Sequence, residues 1–200
     1  MFGTRIIIAD ADAAYRRSLK EAFRHADYMV VGEASDARGA LQLVFQAEPS
    51  VVVMDPFIPG SEGIGITSII DEHRVAPVVA VVSLAQRDIE DFARLPGVYG
   101  ILLKPLQDGT VQPVIESALA NFDRAMKLDK ELKDIRKELE SRKVVEKAKG
   151  LLIEKKKMTE KDAYKYLQKM SMDRCVPLAR IAAEIIRHYQ QSHEKSSGKL

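Results

Sequence analysis

The first 120 residues alternate short apolar runs with amphipathic stretches, and this alternation limits the fold more than any other feature. Within the intervening stretches, apolar residues share one helical face, as Leu41, Val44 and Phe45 do. Fully apolar strands that alternate with helices predict an α/β fold, a doubly wound five-stranded parallel sheet covered on both faces. The runs are β-branched or leucine-rich and too short for helices: Ile6–Ala9, Met29–Gly32, Val51–Met54, Val78–Val82 and Gly100–Leu103.

Chemically active side chains follow four of these runs. The first run is followed by Asp10 and Asp12, the third by Asp55, the fourth by Ser83 and the fifth by Lys104. In a parallel sheet, functional groups gather beyond the carboxyl ends of the strands. A carboxylate can attack phosphorus, while an ammonium, a hydroxyl and a divalent cation stabilise the phosphoryl oxygens. The pattern therefore predicts a phosphoryl-transfer site.

Residues 1–118 resemble a response-regulator receiver domain. The resemblance lies in Asp10, in Asp55 within MDPFIPG, in Gly63, in Ser83 and in Lys104–Pro105. It implies a flavodoxin-like sheet of strand order 2-1-3-4-5, with Asp55 as the phosphoacceptor of a sensor histidine kinase. It further implies a candidate cis peptide at Lys104–Pro105 and phosphoryl contacts from Ser83 and Lys104. The implied Mg²⁺ ligands are Asp10, Asp12, Asp55 and the backbone carbonyl of Phe57.

The chain departs from the receiver pattern at two positions. Ala11 replaces the second acid of the family, which is usually a direct metal ligand. Asp12 could replace it only if the loop after the strand turns inward, so phosphorylation with Mg²⁺ and signalling without phosphorylation both remain open. Ile101 occupies the family's aromatic switch position, and Tyr99 lies two residues out of phase.

Residues 119–141 are predicted to form a coiled-coil linker helix. Between Pro113 and Gly150 the chain contains neither glycine nor proline, and apolar residues recur with 3-4 spacing. The flanking positions are strongly charged, which favours an intermolecular seam and a homodimer over a helix lying on its own domain. The predicted seam comprises Ala118, Asn121, Ala125, Leu128, Leu132, Ile135 and Leu139, followed by Arg142.

Residues 142–190 are predicted to form a small three-helix module, followed by a disordered tail over 191–200. Thr159 and Asp162 are spaced as a helix cap, and Pro177 suits the first turn of a further helix. Cations interleaved with tyrosines favour nucleic acid, because cations neutralise phosphate and aromatic rings stack on unpaired bases. A solvated surface with tyrosines in the core is the alternative.

The sequence of this module closely resembles the ANTAR domain, an RNA-binding output module. The resemblance lies in the segments RKVVEKAKGLL, DAYKYLQKMSM and ARIAAEII. The resemblance implies recognition of short-looped RNA hairpins in leader transcripts. Tyr164 occupies an aromatic position of the family, and whether it packs or stacks is open. Our contact candidates are Arg142, Lys143, Lys147, Lys149, Tyr164, Lys165, Lys169 and Arg174.

Charge and composition agree with two units that have different partners. Residues 1–120 carry a net charge of −6 and residues 142–200 a net charge of +8. Cys175 is the only cysteine, the four histidines lack metal-ligand spacing, and no apolar run reaches membrane-spanning length. We therefore expect a cytoplasmic protein that does not span a membrane. The resemblance to a receiver domain further implies that the chain is not an enzyme and catalyses at most its own phosphorylation and dephosphorylation.

Together these patterns predict a response regulator that acts as a transcription antiterminator, as a dimer controlled by phosphorylation of Asp55. A DNA-binding response regulator is one alternative, although duplex readers place a dedicated recognition helix in the major groove. A phosphorylation-independent adaptor that binds a protein partner is the other.

Overall fold

The computed structural model describes residues 3–61, 65–83, 89–107 and 109–197, with side chains described as far as residue 190. The chain divides into two compact units, Met1–Lys127 and Leu128–Leu200. The first unit therefore continues beyond residue 118, where the sequence patterns place the end of the receiver domain.

The first unit is a five-stranded parallel sheet with helices between its strands. Its strand order is β2-β1-β3-β4-β5, so the predicted doubly wound architecture is confirmed. The strand runs are Arg5–Ala9 (β1), Met29–Ala34 (β2), Val51–Met54 (β3), Val78–Ser83 (β4) and Val98–Lys104 (β5). The helices are Ala13–His25 (α1), Ala37–Ala47 (α2), Ile66–Glu72 (α3), Ile89–Ala93 (α4) and Val111–Lys156 (α5).

Successive residues of the central strands enter the core on opposite faces of the sheet, as the two-residue period of a strand requires. Ile7 and Ala9 of β1 pack in the cluster that contains residues of α2 and α3. Ile6 and Ile8 pack in the cluster that contains residues of α1 and the start of α5. All four are fully buried, and burial of an isoleucine contributes about 1.5–3 kcal/mol.

Helix α5 contributes to this core before it becomes exposed. Val111, Ile115 and Ala118 are buried against the sheet. This placement corrects the predicted dimer seam at its first residue: Ala118 is fully buried and packs within the receiver core. The 3-4 spacing continues through it because the core-facing stripe and the exposed stripe follow one another on a single helix.

The second unit contains the end of α5 and two further helices, Glu160–Arg174 (α6) and Leu178–Ser197 (α7). Thr159 caps α6, since its hydroxyl oxygen accepts from the Asp162 backbone nitrogen at 3.2 Å. Its hydroxyl also donates to the Asp162 carboxylate at 2.7 Å. Pro177 directly precedes α7, and its carbonyl accepts from Arg180 and Ile181 in the first turn.

Residues 191–197, most of the segment predicted to be a disordered tail, continue α7. Neither glycine nor proline interrupts the chain between Pro177 and Gly198, so nothing in the backbone ends the helix earlier. The three helices bury a separate small core of Val145, Ala148, Leu152, Ala163, Leu167, Ile181 and Ala182. Among the described residues, no helix is long and apolar enough to cross a membrane.

Candidate phosphoryl site and nucleic-acid interface

The sheet brings the predicted phosphoryl-site residues to one edge. Ala9 pairs with Met54 in the parallel register, so Asp10 and Asp55 follow adjacent strand ends. Ser83 pairs with Lys104 at the ends of β4 and β5. The Lys104–Pro105 peptide is cis, as the family resemblance implies.

Lys104 lies between the two carboxylates. Its Nζ is 2.5 Å from Asp10 Oδ2 and 3.7 Å from Asp55 Oδ2. The Asp10 side chain is only 3% exposed, whereas those of Lys104 and Asp55 are 23% and 28% exposed. A buried carboxylate is costly without a partner, so the ammonium provides the compensating charge for Asp10. The same ammonium remains within ion-pair distance of the more accessible Asp55.

Asp55 is held in position by its own loop. Its backbone nitrogen donates to the Ala9 carbonyl at 2.9 Å, and its Oδ1 accepts from the Phe57 backbone nitrogen at 2.9 Å. The Phe57 ring packs edge-to-face against Phe92 at a centroid distance of 5.5 Å. These contacts leave Oδ2, the oxygen that faces Lys104, as the candidate attacking atom.

Asp12 does not turn into the pocket in place of the missing acid. It is the exposed N-cap of α1, and its Oδ1 accepts from the backbone nitrogens of Ala14 and Tyr15 at 2.8 and 3.3 Å. The bond from Ala14, and then that from Tyr15, lower the pKa of Asp12 below its usual value. A carboxylate at this position satisfies free amides of the first helical turn, which explains why a capping role prevails over inward rotation.

The remaining donor set fits a divalent cation with few protein ligands. Among the described residues, no three acidic, histidine or cysteine side chains are grouped to hold a metal ion. Asp10 and Asp55 nevertheless converge on one cationic group, and Mg²⁺ commonly binds through one or two carboxylates while retaining several waters. Two carboxylates therefore suit a weakly held Mg²⁺ in competition with the Lys104 ammonium.

Two neighbouring residues that sequence reasoning missed support this pocket. Arg16 Nη1 donates to the carbonyl of Asp10 at 2.6 Å and to that of Ala11 at 3.3 Å. The Tyr15 ring lies under Lys104, with Nζ 4.6 Å from the ring centroid. Burial, and secondarily the charge of Asp10, raise the pKa of Tyr15 to about 12. Their positions in the first turn of α1 were the available signal, since that turn follows the Asp10 loop.

The other receiver-pattern positions have simpler roles. Ile101 is half-buried and packs against the cluster of Ala80, Val82 and Phe92. The Tyr99 ring packs edge-to-face on Phe122, with centroids 5.3 Å apart. Gly63 lies outside the described residues.

Most candidate RNA contacts in the second unit are exposed. Lys143 pairs with Glu140 at 2.9 Å and Arg174 with Glu184 at 3.0 Å, both at the surface. Tyr164 is 42% exposed, so its ring packs only partly. The exposed cationic candidates are Arg142, Lys143, Lys147, Lys165, Lys169 and Arg174.

Lys149 differs from the other candidates and has a structural role. The residue is 7% exposed, and its Nζ lies 3.1 Å from Glu146 and 2.8 Å from Glu160. The bond to Glu160 and then that to Glu146 raise the pKa of Lys149, and the lysine lowers the pKa of Glu160. Sequence spacing alone did not reveal this pairing with a glutamate of the next helix.

The predicted seam is exposed from Leu128 onward. Leu128, Leu132, Ile135 and Leu139 are 64%, 49%, 65% and 50% exposed. Such a row of large apolar side chains on one helix is typical of an interaction surface. Of the earlier seam positions, Asn121 is exposed and Ala125 is half-buried. We call Leu128, Leu132, Ile135 and Leu139 the apolar stripe.

Comparison with known proteins agrees with both units. Residues 6–116 match the response regulator receiver domain, and residues 133–186 match the ANTAR domain. The transcriptional regulatory protein PdtaR of Mycobacterium tuberculosis is 38% identical over 182 residues, which cover 91% of this chain and 89% of that protein. The chemotaxis protein CheY of Thermotoga maritima is 30% identical over 110 residues, 54% of this chain and 92% of that protein.

Solved structures match the receiver fold. The receiver domain of a Pseudomonas aeruginosa sensor histidine kinase, solved with magnesium in its active-site cleft, has a TM-score of 0.51 at 19% identity. That match covers 59% of this chain and 98% of the other. The receiver domain of AraT from Geobacillus stearothermophilus has a TM-score of 0.52 at 22% identity and covers 62% of this chain and 98% of the other. With both domains matched in order and a relative similar over nearly its whole length, the chain belongs to the response regulators that join a receiver domain to an ANTAR output domain, a family of non-catalytic regulators.

Proposed function

We propose that this response regulator is phosphorylated on Asp55 by a sensor histidine kinase and then binds RNA hairpins as a dimer, acting as a cytoplasmic antiterminator. The observation that carries this proposal is the apolar stripe, four large side chains each about half exposed or more at coiled-coil spacing. A second copy of the chain would cover this surface, since identical heptad seams are self-complementary.

The phosphoryl transfer uses the pocket described above. An oxygen of the Asp55 carboxylate forms the new bond to phosphorus while the bond from phosphorus to its histidine nitrogen breaks, and that nitrogen keeps the electron pair. Lys104, at 3.7 Å from Asp55, neutralises the phosphoryl oxygens, and Ser83 donates its hydroxyl to one of them. Mg²⁺ would be held by Asp10, Asp55 and the Phe57 carbonyl, and it supplies further charge neutralisation.

Phosphorylation of Asp55 controls RNA binding by adding charge to the receiver and by promoting pairing of two chains. It turns the singly charged Asp55 carboxylate into an acyl phosphate with about two negative charges beside Lys104, which draws the ammonium away from Asp10 and biases the receiver surface. Pairing along the apolar stripe then brings two ANTAR modules together. Linked modules bind two hairpins with a raised effective concentration, and bound hairpins cannot refold into a competing terminator.

Sedimentation velocity of the full chain with and without acetyl phosphate and Mg²⁺ tests this function. We expect the phosphodonor to shift the chain from monomer towards dimer, and intact mass to show one phosphoryl adduct. Asp55→Asn should abolish both effects, whereas Asp36→Asn, which replaces the carboxylate that caps α2, should abolish neither. An adduct that persists in Asp55→Asn would contradict the assignment of the phosphoacceptor.

Competition between a hairpin RNA and a duplex DNA of matching length, at one stated salt concentration, tests the ligand. We expect the hairpin to be preferred, because readable bases in RNA are those of unpaired loops. A preference for the duplex would instead identify a DNA-binding regulator.

A further inference from the structure

The ANTAR unit contains a groove between the end of α5 and helices α6 and α7. Its volume is about 330 Å³, near the lower end of the range for pockets that hold small ligands. Buried Leu152 and half-buried Tyr166, Met170, Ile185 and Tyr189 line it, so its interior is apolar and aromatic.

Charged side chains surround the opening of this groove. Lys156 Nζ lies 4.7 Å from the centroid of the Tyr166 ring, which holds a cation over the aromatic wall. Arg174 and Glu184 also line the groove and pair with each other at 3.0 Å. The groove thus offers the Lys156 ammonium, the Arg174–Glu184 pair and the imidazole of His188 beside an aromatic wall.

The combination of an aromatic interior with charged side chains at the opening limits which ligands fit the groove. A purely apolar ligand would not need the cations, and a free phosphate would not need the aromatic interior. A nucleotide that has left its stack uses both parts, because its base stacks on an aromatic ring and its phosphate pairs with lysine or arginine. The carboxylate of Glu184 can accept from donors on the edge of the base.

We propose that the groove lined by Tyr166, Met170 and Tyr189 binds one unpaired loop nucleotide of the RNA hairpin, a specificity site distinct from the exposed lysines. The base enters beside Tyr166, and the ammonium of Lys156 moves from the ring to the phosphate of the same nucleotide. The inference rests on the proposed RNA-binding function and adds to it the means by which a loop is distinguished from a stem. Of the exposed cationic candidates, Arg174 lines the groove and the lysines do not.

A double-mutant cycle between protein and RNA tests this site. The probe is a tandem two-hairpin RNA recovered by in vitro selection on the full chain, with each loop nucleotide replaced in turn by an abasic residue. The protein variant is Tyr166→Leu, which keeps an apolar side chain but removes the stacking ring. Met172→Leu is the matched control, since Met172 lies on the same helix, is 73% exposed and does not line the groove.

We expect Tyr166→Leu to weaken binding of the intact RNA about tenfold, within the range of one base-aromatic stack. One abasic position should weaken binding by the wild-type chain to a similar degree and have little further effect on Tyr166→Leu. Met172→Leu should bind every RNA as the wild type does. Thermal melting followed by circular dichroism verifies folding, and Lys156→Gln replaces Tyr166→Leu in the cycle if the latter does not fold.

The outcomes separate this proposal from the function on which it rests. If the wild-type chain prefers no hairpin over duplex RNA, the RNA-binding function itself fails. If hairpins bind tightly but every abasic effect adds independently to that of Tyr166→Leu, RNA binding stands and the groove is not a nucleotide site. A Tyr166→Leu variant with unchanged RNA affinity but altered dimerisation would also overturn the proposal, and would assign the groove to protein contact.

Discussion

Lys104 contacts Asp10 more closely than it contacts Asp55, at 2.5 Å against 3.7 Å. The buried carboxylate thus takes the nearer position of the ammonium, while the candidate phosphoacceptor retains the outer one. Because Ala11 carries no charge, the two carboxylates outnumber the single ammonium by one, and Asp10, Asp55 and Lys104 together keep one net negative charge. A metal ion at this edge would compete with the Lys104 ammonium for the same carboxylates.

Restoring the missing acid should favour the metal. We expect Ala11→Asp to tighten Mg²⁺ binding about tenfold, because a third carboxylate adds a ligand and outweighs the single ammonium. Isothermal titration calorimetry with MgCl₂ measures this. Ala13→Asp adds the same charge in the first turn of α1 and should leave the affinity nearly unchanged. Equal affinities for Ala11→Asp and the wild type would mean that the pocket is not a metal site.

The ring of Tyr15, rather than its hydroxyl, should matter to the pocket. Among the described residues, the buried Tyr15 hydroxyl has no hydrogen-bond partner, whereas the ring lies 4.6 Å from Lys104 Nζ. Tyr15→Phe should therefore retain thermal stability and the rate of phosphorylation by acetyl phosphate. Tyr15→Leu should lose about 0.5–2 kcal/mol of unfolding free energy. It should also form the phosphoryl adduct more slowly, as measured by intact mass. Equal behaviour of both variants would show that the cation–π contact has no role.

The raised pKa of Tyr15 predicts its alkaline behaviour. A folded pKa of about 12, above the usual 10.0, means that the neutral form stabilises the fold. This contribution is complete below pH 10 and is lost as pH rises through about 12. Spectrophotometric titration of the phenolate should show that Tyr15→Phe removes absorbance change near pH 12. Loss of signal near pH 10 instead would contradict burial of this hydroxyl.

The apolar stripe should determine the oligomeric state. We expect Leu132→Lys to weaken dimerisation roughly tenfold or more, since a charge on the seam would be desolvated on pairing. Asp134→Lys, at an exposed position beside the stripe, should leave the dimer intact. Sedimentation equilibrium of the phosphorylated chain measures both. A Leu132→Lys dimer as stable as the wild type would place the interface elsewhere.

Substitutions of two neighbouring lysines of α5 should affect different properties, one the affinity for RNA and the other the thermal stability. Lys147→Gln, at an exposed position, should lower RNA affinity and reduce the slope of log affinity against log salt by about one, with unchanged melting temperature. Lys149→Gln should lower the melting temperature, because it leaves Glu146 and Glu160 without their shared cation. The reverse result would return Lys149 to the RNA surface.

Acid should remove the contribution of the same ion pair. The pKa of Glu160 is lowered by its bond to Lys149, so the charged form stabilises the fold above its usual value of 4.5. This stabilisation is lost as pH falls through the lowered folded pKa. The difference in melting temperature between the wild type and Glu160→Gln should therefore be constant from pH 6 to about 8 and shrink below 4.5. A difference that grows in acid would contradict the pairing.

The sequence predicted the strands, the helices and the grouping of polar residues at the strand ends. Parallel strands carry their terminal residues to one edge, so Asp10, Asp55 and Lys104 can be grouped from the sequence alone. Asp12 was harder, because whether a carboxylate caps a helix or turns inward depends on the local backbone. Ala118 was misplaced because core packing and pairing between chains produce the same apolar spacing.

Sequence spacing alone could not predict contacts between residues of different helices. Lys149 pairs with Glu160 of α6, which lies eleven residues away across a turn. Because the spacing does not show this pair, the positive charge of Lys149 suggested an exposed RNA contact. The groove shows the same limit. Tyr166, Met170 and Arg174 share one face of α6, but the cavity exists only because Lys156 and Tyr189 approach from other helices.

The apolar stripe has a consequence for how a signal is read. In the proposed dimer, two phosphorylated copies must meet before paired hairpins can be held. At concentrations well below the dimer dissociation constant, a tenfold fall in phosphorylated chain lowers the paired form roughly a hundredfold. Such a regulator filters out weak or brief kinase activity, and its response threshold follows the abundance of the protein as well as the strength of the stimulus.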